Sequence, residues 1–130
     1  MSLAHITLAT RDVARASAFF FDTLGWRPIN RPGNIGRKAA WLSIATGVEL
    51  HLIEEPEFAP SPFEKEYGRH VAVAYPLAES PALQERLVAR GATLIEPIRE
   101  TPFQRFFFRD PDGYVFEVIE QGREEPRPMG

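Results

Sequence analysis

Cysteine is absent from all 130 residues. That excludes a disulfide framework, a thiolate metal ligand and a cysteine nucleophile, and it fits a reducing compartment. No apolar run approaches the roughly 20 residues that cross a bilayer. Strand-like sequence begins within a few residues of Met1, without the basic start and long apolar core of a signal peptide. The expectation is a cytoplasmic protein with no membrane partner. Charge of one sign is not in excess either: 15 basic residues face 18 acidic ones, a net charge of -3. No basic block or stripe of the kind that neutralises phosphates occurs, so nucleic acid is not an expected partner. Missing too are a Gly-x-Ser-x-Gly elbow and a Walker-type phosphate loop.

What is present is one domain's worth of chain, able to bury roughly two-thirds of the surface its unfolded form exposes. Leu3 to Ala9 alternates as a half-buried strand, with Ala4, Ile6 and Leu8 on one face and His5 and Thr7 on the other. Asp12 is placed to cap a helix running to Leu24, its apolar residues Val13, Ala16, Phe20 and Leu24 at helical spacing and Gly25 at its end. Strands near Trp26 to Ile29, Lys38 to Ala45 and Val48 to Glu54 follow, the first two separated by a loop from Asn30 to Arg37. Residues 55–67, with Pro56, Pro60 and Pro62, read as a connection. The order then repeats. His70 to Tyr75 reads as a strand, and Ser80-Pro81 opens a helix as cap and first-turn proline, with an apolar stripe of Leu83, Leu87 and Val88 ending at Gly91. Strands near Thr93 to Ile95, Arg105 to Arg109 and Tyr114 to Gln121 complete it, and 122–130 reads as a loose tail.

This is a duplication. His5 and His70 lie 65 residues apart, while Gly25 and Gly91, like Gly47 and Gly113, lie 66 apart. In the fourth strands His51 falls over Glu117. The chain has three histidines, and all three occupy repeat-equivalent places, with an acid at the fourth. Taken singly, a histidine on a strand is ordinarily a hydrogen-bonded structural residue. Taken together, His5, His51, His70 and Glu117 offer three imidazoles and one carboxylate, a set suited to a divalent first-row metal: zinc, nickel, cobalt, manganese or iron. Their neighbours on the same strand faces, Thr7, Ala9, Ala72 and Ala74, are small enough to leave room. Asp110-Pro111-Asp112-Gly113 reads as a tight turn and nothing more.

The pattern resembles the vicinal oxygen chelate superfamily, which includes glyoxalase I, extradiol dioxygenases and the fosfomycin and bleomycin resistance proteins. The resemblance covers Leu3 to Gln121 and rests on Leu3-Ala4-His5-Ile6-Thr7-Leu8 before Arg11-Asp12-Val13, on Phe19 to Trp26, and on Phe108-Arg109-Asp110-Pro111-Asp112-Gly113 ahead of Phe116-Glu117. It implies an α+β fold of two tandem βαβββ modules forming a cupped mixed sheet with helices on the outer face. It treats 1–130 as a single domain, with module one about 3–54 and module two about 68–121. It also implies a homodimer and a metal in the cup, with His5, His70 and Glu117 on ligand positions and His51 where isomerases carry Glu or Gln.

Such a site suits a lyase, isomerase or epimerase acting on a small-molecule substrate with vicinal oxygens. A metal polarises a carbonyl, and a carboxylate moves a proton on the adjacent carbon. Glu117 and Glu49 are the candidate bases, Glu49 lying two residues from His51 on the same strand face. The alternatives are an extradiol ring-cleaving dioxygenase, should His51 not bind, and a non-catalytic antibiotic- or metabolite-binding protein. Substrate contacts are expected from Trp41, Phe58 and Arg37, the last facing an anionic group, although aromatics on strands more commonly serve packing.

Overall fold

The computed structural model describes residues 1–33, 36–122, 128 and 129. Asn34 and Ile35 of the expected loop, and all of the expected tail but Gly122, Pro128 and Met129, lie outside the described residues. The chain divides into two compact units, residues 1–60 with 111–113, and 61–110 with 114–130.

The first unit contains β1 (His5–Thr10), α1 (Val13–Leu24), β2 (Arg27–Ile29), β3 (Ala39–Ala45) and β4 (Val48–Glu54). Its four strands form one sheet in the order β1-β4-β3-β2, with β1 parallel to β4 and the other pairs antiparallel. Helix α1 starts where Asp12 accepts a hydrogen bond from the Arg15 amide, satisfying one of the orphan donors of the first turn. It stops at Gly25, whose φ of 77° is the left-handed conformation that glycine adopts without a Cβ penalty. The helix packs on β3 and β4. Its Phe20 and the sheet residues Leu8, Leu42, Leu50 and Leu52 are almost wholly buried. Because strand side chains alternate, burying Leu42, Leu50 and Leu52 on one face sends Trp41, Glu49 and His51 to the other.

The second unit contains β5 (Val71–Tyr75), a 3-10 turn at Leu77–Glu79, α2 (Ser80–Ala89), β6 (Thr93–Ile95), β7 (Arg105–Arg109) and β8 (Val115–Glu120). Its sheet repeats the arrangement in the order β5-β8-β7-β6, again with the first pair parallel. Leu83, Leu87, Phe108, Phe116 and Val118 are fully buried, and the Phe108 and Phe116 rings stack. The α+β class and the two tandem modules are as the sequence predicts.

Three local expectations are corrected. Ser80 is already helical rather than a cap, because the 3-10 turn runs straight into α2, and its hydroxyl accepts from Gln84 Nε2 instead. Val88 is 54% exposed, so the stripe on α2 reduces to Leu83 and Leu87 at i and i+4. The turn through Asp112 is more than a turn. Asp112 is buried in the first unit, where it accepts from Thr10 Oγ1 at 2.5 Å, the Arg11 amide at 3.2 Å and Arg15 Nη2 at 2.7 Å.

Candidate functional site

In the first unit the face opposite α1 carries His5 and Thr7 from β1, Glu49 and His51 from β4, and Trp41 from β3. Register places His5 beside Glu49, and His51 between Thr7 and Trp41. The imidazole of His51 is sandwiched. The His5 ring lies 4.0 Å from it and 16° from parallel, and the Trp41 indole lies 3.6 Å away on the other side at 7°. In the plane of the ring, His51 Nε2 is 2.8 Å from Glu49 Oε1. Both imidazole faces and one nitrogen are therefore engaged. Metal ligation uses the in-plane lone pair of an imidazole nitrogen, and on His51 the Nε2 position is taken up by Glu49. The Glu49 side chain stays 39% exposed, while that of His51 is 10% exposed. Trp41 Nε1 is buried without a hydrogen-bond partner.

In the second unit His70 stands just before β5, and Glu117 lies mid-strand on β8, opposite Ala72 and Phe107. Ala72 and Ala74 are exposed, so the face is open beside them, as their small size suggests. His70 Nδ1 lies 3.4 Å from the Lys65 carbonyl. Its Nε2 faces Glu117 Oε1 at 3.4 Å. Two ligands held about 2.0–2.1 Å from a tetrahedral zinc stand about 3.3–3.4 Å apart. The spacing, and a ligand histidine whose second nitrogen is tied to a carbonyl, fit a metal-binding pair.

Glu117 has a partner the sequence did not announce. Its Oε2 accepts from Arg105 Nη1 at 3.0 Å, and Arg105 Nη2 reaches Glu66 Oε2 at 3.2 Å as well as the Arg99 carbonyl. Glu66 in turn accepts from the backbone amides of Ile98 at 2.7 Å and Arg99 at 3.0 Å. Side-chain exposures of 4% for Arg105 and 8% for Glu66 make this an interior ion pair. Burial is the largest influence on each group and opposes its charge. The hydrogen bonds outweigh it, so the Arg105 pKa is raised, and the Glu66 carboxyl is held below its ordinary value by the Ile98 and Arg99 amides and by Arg105. The signal for Arg105 was an arginine on the same strand face as Phe107, two register positions from the Phe107–Glu117 pair. Glu66, in an aperiodic connection, gave none.

The expected site residues thus come together as His5, His51, Glu49 and Trp41 in one unit and His70 with Glu117 in the other. No group of three or more His, Asp or Glu side chains placed to hold a metal ion occurs among the described residues. Arg37 is spent on an ion pair with Glu55 and a bond to the Glu54 carbonyl. Phe58 is half-buried, its carbonyl accepting from Arg11 Nη1 at 3.1 Å. No described helix is long and apolar enough to cross a membrane.

Comparison with known proteins adds an independent finding. Residues 2–118 match the model of the Glyoxalase/Bleomycin resistance protein/Dioxygenase superfamily. The chain is 26% identical over 121 residues to Glyoxylase I 4 of Arabidopsis thaliana, covering 90% of this chain and 69% of that protein. It is 26% identical over 117 residues to the metallothiol transferase FosB of Shouchella clausii, covering 88% and 76%. Among solved structures, a variant of the fosfomycin resistance protein FosX from Listeria monocytogenes superposes with a TM-score of 0.75 at 22% identity, over 92% of this chain and 91% of that one. That FosX structure holds Mn(II) and a dihydroxypropylphosphonic acid. A glyoxalase/dioxygenase from Nostoc punctiforme superposes with a TM-score of 0.71 at 20% identity, over 94% and 92%.

Proposed function

The chain belongs to the Glyoxalase/Bleomycin resistance protein/Dioxygenase superfamily, and we propose that it is a divalent-metal-dependent enzyme of glyoxalase type, transferring a proton beside a carbonyl of a small substrate with vicinal oxygens. His70 and Glu117 would hold the ion. Support for this comes chiefly from His70 and Glu117, an imidazole nitrogen and a carboxylate oxygen 3.4 Å apart, the spacing of two ligands of one ion. When bound, the ion supplies Lewis acidity that polarises a substrate oxygen.

Glu49 would carry the proton. It stands beside His5 in register and is the more exposed member of its pair with His51. His51 enters this reading as the group that holds Glu49 Oε1, with Trp41 and His5 fixing its ring, and not as a fourth ligand. Glu117, held by Arg105, keeps to the ligand role. A carboxylate so placed contributes about 10²–10⁴-fold as a general base.

The test is metal content after purification without added metal, together with solvent deuterium incorporation at the carbon beside the carbonyl of a small α-hydroxyketone. Stoichiometric metal and metal-dependent exchange are expected, both falling in His70→Ala and Glu117→Ala. Metal near zero in the wild type overturns the reading. The likeness to FosB and FosX favours a second one, a resistance-type enzyme, which metal-dependent consumption of fosfomycin without carbon-bound proton exchange would establish.

A further inference from the structure

Arg105 poses an electrostatic question for any cation at Glu117. A buried guanidinium bonded to the oxygen neighbouring the one that faces His70 orients the carboxylate, yet its positive charge opposes an incoming metal ion. The structure contains the answer. The same guanidinium forks onto a second carboxylate, Glu66, which is itself fixed by two backbone amides and does not approach His70 or Glu117 with any bond of its own.

We propose that Glu66 is a charge-compensating residue that makes the Arg105 clamp neutral, so that Arg105 can position Glu117 for a cation without repelling it. This rests on the reading of Glu117 as a metal ligand. The planar fork of arginine is what allows one residue to serve both carboxylates at fixed angles, and a lysine has no equivalent geometry. Arg105 also lies over the Phe107 ring at 5.0 Å, which holds the guanidinium in place between its partners. Neither Arg105 nor Glu66 touches the reacting atoms in this assignment; both are positioning residues, and Glu66 acts through Arg105.

A charge-compensating Glu66 and a merely structural one respond differently to loss of charge at Arg105. In Glu66→Gln the side chain keeps its shape, while Arg105 gains an uncompensated charge, so Mn(II) affinity measured by titration calorimetry should fall about tenfold or more, as when outer partners of metal ligands are lost. In the double variant Glu66→Gln with Arg105→Met the repelling charge is gone, and affinity should recover above that of Glu66→Gln alone. If Glu66 only tethered residues 98 and 99, the double variant would bind no better than the single one, and that result overturns the proposal. Wild-type affinity in Glu66→Gln overturns it as well. Should the single variant fail to fold, Glu66→Asp decides, since it keeps the charge while shortening the reach to residues 98 and 99: affinity within about threefold of wild type is expected, and a loss of about tenfold or more overturns the proposal. Absence of Mn(II) binding by the wild type would instead remove the functional reading beneath, which separates the two failures.

Discussion

Glu49 Oε1 and His51 Nε2 lie 2.8 Å apart on one face of β4, with the His51 ring held between Trp41 and His5. Residues two apart on a strand share a face, so the bond is local in sequence, but the clamp that fixes its geometry comes from two other strands. Glu49→Gln should reduce metal-dependent proton exchange by about 10²–10⁴-fold while leaving metal stoichiometry unchanged. His51→Phe retains an aromatic between its neighbours and should lower exchange less, with metal still bound. Loss of metal in His51→Phe would return His51 to the set of ligands.

Metal binding should stabilise the fold. A ligand that binds only the native state contributes about 2.7 kcal/mol at a free concentration one hundred times its Kd. Thermal unfolding with Mn(II) and with a chelator should therefore differ by several degrees. That difference should shrink to near zero in His70→Ala and Glu117→Ala, whatever their effect on the unliganded protein.

Acid should weaken the second unit through Glu66. Burial, the largest single influence, raises its pKa, but the Ile98 and Arg99 amides and Arg105 together outweigh it, so the folded value lies below the ordinary 4.5. The unfolded chain then binds a proton before the folded one does as pH falls. The contribution is present above 4.5 and is lost as pH drops through the folded value. Stability curves of wild type and Glu66→Gln, measured from neutral pH downward, should converge below 4.5. A gap that stays constant across that range contradicts the assignment.

Asp112 should matter more than a turn residue does. It is 3% exposed and receives bonds from Thr10, the Arg11 amide and Arg15. Removing one partner of a buried charged network costs about 3–5 kcal/mol, and because the Arg15 side chain is 42% exposed and can turn to water, the loss in Asp112→Ala should sit at the lower end, about 3 kcal/mol. Urea denaturation measures it. A change under about 0.5 kcal/mol, the size typical of surface substitutions, would show that the turn is passive.

The order of elements was legible because alternation and helical spacing are local patterns, and because the duplication let each half check the other. Asp12 and Gly25 marked the ends of α1 for the same local reason, since caps act within one turn. Ser80 misled because its cap-like identity carried no information about the 3-10 turn preceding it. The pairing of Arg37 with Glu55 was not legible, because the two residues have no periodic relation.

By itself the sequence determined the two modules, their shared element order and the placing of His5, His51 and Glu117 on strands, with His70 just ahead of one, since a period of two fixes which face each side chain takes. Tertiary structure alone decided what each of the four meets there. Stacking gave His51 to Trp41, a polar contact gave its Nε2 to Glu49, and a buried guanidinium gave one oxygen of Glu117 to Arg105. Those choices depend on distances between strands and loops that no local pattern encodes, and in a water-poor interior such distances set which charge finds which partner.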